Sequence, residues 1–190
     1  MIRNLFALIG LLTVIMVGVV AFKSQGMLAG FDPKAGGVFM EMAQNVLKTK
    51  NAAEATVWKV KVEDGVSADD VEEAMKMVAN ELNISNVGEK PLSKDVEAKS
   101  GKPYRFVKIF EFCNSLTAKM MIDYSDAYSA YMPCRITMVE DKKGKLWLYT
   151  LNMDLMIYGG EPLPAELKAE ALKVKKTMLA IMERGAQGDF

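Results

Sequence analysis

The chain has no histidine among its 190 residues. This removes the commonest general base near neutral pH and the commonest metal ligand. A Ser-His-Asp or Cys-His site is excluded within one chain, as is any zinc site with an imidazole ligand. Cysteine is scarce: Cys113 and Cys134 are the only pair, too few for a closed structural zinc site. No charge of one sign dominates. Lys+Arg and Asp+Glu number 24 each, so the formal net charge is zero. A nucleic-acid binder needs a basic surface to displace counterions, so nucleic acid is not an expected partner. Long runs of like charge are also lacking, the pattern of an ordinary solvated surface. There is no internal repeat and no low-complexity segment.

Methionine is abundant instead, at 15. Most of these fall at apolar-face positions, where Met fills cores and membrane segments. The alternative use of a thioether is as a ligand for a soft ion such as Cu(I). The longest uncharged run is Leu5–Phe22 (LFALIGLLTVIMVGVVAF). About 20 apolar residues span a bilayer core, so this run is just long enough for a transmembrane helix. A cleavable signal peptide has a shorter apolar region and a small-residue cleavage site; here Phe22-Lys23-Ser24-Gln25 follows. The expectation is an uncleaved single-pass anchor over residues 1–23. Arg3 on one side and Lys23 and Lys34 on the other nearly balance the positive-inside count. The short N-terminal tail favours an external domain, which in a bacterium is periplasmic on the inner membrane.

Residues 24–52 read as a linker and a short amphipathic helix. Gly26, Gly30, Pro33, Gly36 and Gly37 interrupt regular structure. Phe39, Met42, Ala43, Val46 and Leu47 then recur at helical spacing over Val38–Lys48. The polar side of that helix is not basic, so packing on the domain or a connector role is expected over a seat on the membrane surface. Residues 53–190 form the domain. Thr56, Trp58, Val60 and Val62 alternate as a first strand. Ser67 and Asp70 open a helix with a capping-box pattern. Ile84–Glu89 is a second strand, Pro91–Ser100 a loop or short helix, and Tyr104–Cys113 a third strand, apolar on both faces. A short helix after Asn114 carries Leu116, Met120, Met121 and Tyr124. A loop rich in tyrosine (Tyr124, Tyr128, Tyr131) leads to strands from Cys134 and from Leu146, joined by a charged turn with Gly144. Pro162 and Pro164 open a long last helix, expected to end at Gly185. The order predicts an α+β fold, an antiparallel sheet with two long helices packed on one face.

The two cysteines define the candidate site: Cys113, Asn114, Pro133, Cys134 and Arg135. If their strands are antiparallel neighbours, the cysteines face each other, and a disulfide needs Cα atoms about 4.4–6.8 Å apart. Such a bridge would contribute about 3 kcal/mol. Three readings stay open: a structural disulfide or two core thiols, a redox or soft-ligand site, and a pocket wall. In the second, the helix start after Asn114 would lower the pKa of Cys113, while alternation places Arg135 on the opposite face. Arg135 can equally pair with Glu111 or Glu140, and Asn114 can serve simply as a helix cap. The three tyrosines suit a pocket cover or an interface.

Phe112-Cys113-Asn114, then Met132-Pro133-Cys134-Arg135-Ile136, then Val139-Glu140-Asp141 with Gly144 resemble the domain-of-unknown-function 302 family (DUF302). The resemblance covers Thr56–Met182; Ser115 stands where the family has proline. It implies a curved antiparallel sheet in β-α-β4-α order, like half of the TATA-binding-protein fold, and homodimers. It implies no activity. The expectation is a non-catalytic, membrane-anchored binding or accessory domain, a homodimer or a subunit of a membrane complex, with cofactor unknown. The alternative is a thiol-based redox or soft-metal protein using Cys113 and Cys134.

Overall fold

The structure is a computed structural model that describes residue 6 and residues 9–19 and 29–189. Residues 9–19 are helical; the remainder of the expected Leu5–Phe22 span, apart from residue 6, lies outside the described residues. Among the described residues no helix is long and apolar enough to cross a membrane.

The remaining elements run α1 (Ala35–Thr49), α2 (Ala52–Ala55), β1 (Val57–Lys61), α3 (Ala68–Glu81), β2 (Ser85–Lys90), α4 (Leu92–Ser100) and β3 (Val107–Cys113). Then come α5 (Ser115–Tyr124), a 3-10 turn (Asp126–Tyr131), β4 (Cys134–Glu140), β5 (Leu146–Leu151), α6 (Asp154–Tyr158) and α7 (Ala165–Gln187). The five strands form one antiparallel sheet in the order β1-β5-β4-β3-β2. The mixed α+β architecture is therefore as the sequence predicts.

Strand alternation sorts the core. Phe110 and Phe112 of β3, Ile136 and Met138 of β4 and Leu148 of β5 are fully buried on one face. Opposite them lie Val71, Met75 and Val78 of α3 and Met178, Ile181 and Met182 of α7, also fully buried. Each such side chain removed from water contributes about 1.5–3 kcal/mol. The capping box of α3 is formed: Ser67 Oγ accepts from the Asp70 amide at 3.1 Å and the Asp70 carboxylate accepts from the Ser67 amide at 3.0 Å. Removing such a cap costs about 1 kcal/mol.

Two expectations need correction. β3 starts at Val107 rather than Tyr104, because the Tyr104 amide donates to the Glu97 side chain at 2.9 Å and so leaves the ladder. The last helix does not stop at Gly185 but runs to Gln187, with Gly188 in the left-handed conformation as its cap. Gly185 has a different purpose: a Cβ there would stand 2.5 Å from Met75 Cγ, so its bare backbone lets α7 lie close on α3. The segment after Pro91, expected as a loop or short helix, is the short helix α4, and Ser93 Oγ donates to the Val107 carbonyl at 3.2 Å to hold it against β3.

Lys108 is the one charged residue on the inward face of β3, and it is neutralised locally. Its ammonium reaches Glu72 of α3 at 2.6 Å and Glu89 of β2 at 2.8 Å, and Lys76 reaches the same two carboxylates at 2.6 and 2.7 Å. Burial pushes the Glu89 carboxyl up, but Lys108, Lys76 and Asn86 outweigh it and hold it at about 2, below the ordinary 4.5. A folded pKa below the unfolded one gives stability that is present above pH 4.5 and is lost as pH falls through about 2. The Glu89 side chain is 28 % exposed, so solvent screening leaves about 2 kcal/mol of this. Glu89→Gln is expected to flatten the acid limb of a thermal-melt series across that window. An unchanged limb would show that this network does not govern acid unfolding.

Candidate functional site

β3 and β4 are antiparallel neighbours, but their register is offset by one from the arrangement a cross-strand disulfide needs. Cys134 faces Phe112, and Cys113 faces Ser85 on β2. A one-residue offset sends consecutive side chains to opposite faces of a sheet. Both cysteines are free thiols. Cys134 joins Ile136 and Met138 on the helix-covered face, as alternation predicts.

Cys113 ends β3 where the chain turns into α5. Asn114 makes that turn in an extended conformation, and its side-chain oxygen accepts from the Thr117 amide at 3.1 Å. The cap explains why Asn stands there, and it occupies one of the amides that the helix start leaves unpaired. Thr117 is tied in turn to α7, its hydroxyl 3.3 Å from Glu170 Oε2. After α5 the 3-10 turn carries Tyr128 and Tyr131. The Tyr124 and Tyr128 rings lie 6.1 Å apart, and the Tyr128 hydroxyl donates to the Met156 carbonyl at 3.1 Å. The chain enters β4 through a cis Met132-Pro133 peptide.

These elements enclose a small cleft of about 60 Å3 between the end of β3, the start of β4, α5, α6 and α7. Its walls are apolar and rich in sulfur. Cys113 and Cys134 are joined there by Met121, Met132, Met153 and Met156. Asn114 and Tyr131 also border it. Pro133 and Arg135 do not, so the five expected site residues do not converge. Arg135 lines the opposite, solvent-facing side of the sheet with Tyr149 and Thr137, opposite Glu111 in register. Pairing with Glu140 is not its arrangement: the Glu140 carboxylate accepts from the Phe106 amide at 3.2 Å.

Burial pushes the Cys113 thiol up from its ordinary value of 9.0. Burial pushes Cys134 up to about 11, with a further rise from the nearby Cys113, opposed by a hydrogen bond from its own backbone and, less, by Arg135. The lowered Cys113 pKa expected from the helix start is therefore reversed, because desolvation disfavours the thiolate. Among the described residues no three His, Cys, Asp or Glu side chains group as a metal site. A metal held in this cleft must be one that accepts thioether sulfur. The four methionines were the missed part of the site. Their signal in the sequence was only the overall methionine count, since Met121, Met132, Met153 and Met156 come from four separate segments.

A protein-family model described as "Domain of unknown function DUF302" matches residues 58–185. No curated protein matches the chain. Among solved structures, the crystal structure of an uncharacterized conserved DUF302 protein from Bacillus stearothermophilus is similar in fold. It has a TM-score of 0.55 at 14% identity, covering 68% of this chain and 97% of that one.

Proposed function

The chain belongs to the DUF302 family, and on that premise we propose that it is a non-catalytic binding or accessory domain, held at the outer side of a bacterial inner membrane by residues 5–22. The observation that carries this reading is the cleft. Six sulfur-bearing side chains line one small cleft, and both thiols in it are held protonated. An activated thiol needs an electropositive, partly exposed setting, so the same observation weighs against the redox alternative.

The soft-metal alternative gains from it. Pockets for organic ligands run to about 300–1,000 Å3, whereas this cleft has room for a few waters or one ion. Four thioethers beside two thiols favour a soft ion such as Cu(I) over Mg²⁺, which takes oxygen ligands. A homodimer belongs to the same proposal, with the tyrosines near the cleft mouth available to a partner.

Topology is tested on the intact chain. Protease added to spheroplasts should digest the domain without lysis, and light scattering of the detergent-solubilised chain should give twice the protomer mass after subtraction of bound detergent. Protection until lysis would place the domain on the other side, and a single protomer mass would remove the dimer.

A further inference from the structure

The helix α1 carries two apolar faces, and the fold covers only one of them. Ala35, Val38, Met42 and Asn45 turn toward the domain: Ala35 is 1% exposed and Val38 packs on the core. At 100° per residue, Phe39, Met40, Ala43, Val46 and Leu47 fall within roughly 120° of arc beside that face. All five are exposed, Met40 at 60% and Leu47 at 79%. No charged side chain interrupts this stripe. The polar residues Glu41, Gln44 and Lys48 occupy a separate wedge on the far side. Phe31, just before the helix, is exposed as well.

The stripe does not hang on a loose arm. The Asp32 amide donates to the Gly160 carbonyl at 2.8 Å, and the Asp32 carboxylate pairs with Lys168 of α7. The ammoniums of Lys34 and Lys168 sit 4.8 and 5.1 Å from the centroid of the Tyr158 ring. Lys168 holds the Asp32 carboxyl below its ordinary value, and the Lys34 amide adds to this. These contacts fix where the chain enters α1, so the stripe faces a set direction relative to the sheet.

A second apolar surface precedes it closely. In the helical residues 9–19, Leu11, Leu12, Val14, Met16 and Val17 are each more than half exposed. Residues 23–34 separate the apolar run from α1 and can reach at most about 40 Å. Exposed apolar stripes of this kind mark a protein or membrane contact. A bilayer covers both surfaces with a single partner, and the tether keeps the helix at a high effective concentration against it.

We propose that the Phe39, Met40, Ala43, Val46 and Leu47 stripe of α1 is a membrane-contact surface that seats the domain on the lipid face next to its own anchor. This rests on the anchor reading above. The packing on the domain expected of this helix is made by Ala35 and Val38, but it leaves Phe39, Ala43, Val46 and Leu47 of the expected face exposed. Because the polar wedge lacks a basic cluster, the proposed contact is chiefly hydrophobic and salt should weaken it little. The seat would bury the stripe to the depth of the headgroup–acyl boundary and fix the orientation of the sheet relative to the membrane plane.

The test uses the full chain in phosphatidylcholine vesicles with and without dibrominated acyl chains. Leu47→Trp and Phe39→Trp place an indole on the stripe, and Glu41→Trp places one on the polar wedge. The unsubstituted chain gives the background from Trp58 and Trp147. Bromine should quench the stripe indoles roughly twofold more than the wedge indole, and moderate salt should not reverse this. If the protein floats with the vesicles but stripe and wedge quench alike, the anchor stands and the seat is wrong. If stripe residues crosslink between protomers and are not quenched, a second copy occupies the stripe and the proposal is overturned. If the chain does not float at all, the anchor reading fails and takes this proposal with it.

Discussion

Iodoacetamide at pH 8 is expected to modify native Cys134 about a hundredfold more slowly than the same residue in urea. The thiolate is the reacting species, and burial next to Cys113 pushes Cys134 to about 11 from an ordinary 9.0. Two units of pKa remove all but about one hundredth of the thiolate present at a given pH below 9. Cys113, raised by burial alone, should be modified before Cys134. The sign of the accompanying pH effect follows from the protonated form being favoured by folding. The stability contributed is complete below pH 9.0 and is lost as pH rises through about 11. Mass-resolved labelling at several pH values checks both statements. Native cysteines that react faster than free cysteine, with an acid-shifted profile, would restore the redox reading and end the one favoured here.

Silver(I) is expected to bind the reduced protein one to one in the sulfur cleft. It is a soft ion like Cu(I) and does not cycle its oxidation state, so titration reads ligation alone. Binding exchanges a proton for a metal: each coordinating thiol loses H⁺ and forms an S–Ag bond. Because the thiols start protonated, affinity should rise with pH, and protons should be released in step with the metal added. Cys113→Ser combined with Cys134→Ser should weaken binding by roughly a hundredfold or more. The decisive variants are Met153→Leu and Met156→Leu together. Leucine for methionine keeps volume and typically costs less than about 1.5 kcal/mol, so the fold should persist. Loss of thioether ligands should still cost about tenfold in affinity. If the double leucine variant binds silver as the parent does, the methionines are only the wall of the cleft. Competition titration with a chromogenic silver chelator, with a melting curve for each variant, measures every term.

The α+β class was legible because burial has a period. Phe110 and Phe112 alternate on β3, Ile136 and Met138 alternate on β4, and the α7 stripe recurs every three to four residues. Only one side of each element can face the core, so these patterns determine which faces meet. Ser67 with Asp70 announced a helix start that the structure builds bond for bond. The ends of elements were less legible. Tyr104 is strand-like in type, yet Glu97 captures its amide; Gly185 is a helix breaker in type, yet close packing on Met75 requires it inside α7.

The site divides in the same way. The sequence by itself determined that imidazole chemistry is absent and that Cys134 shares a face with the core, because those follow from composition and alternation. It also placed Cys113 and Asn114 at a strand end opening a helix. Only the tertiary structure decided the register of β3 against β4, which turns on how the chain closes between Asn114 and Pro133 and puts Phe112, not Cys113, across from Cys134. Alternation along β4 sends Arg135 to the open face and Cys134 to the covered one, but only the tertiary fold brings four methionines from distant segments to the side of Cys134. Desolvation then decides the thiols' protonation, a property of how deeply they are enclosed and of nothing that spacing along the chain records.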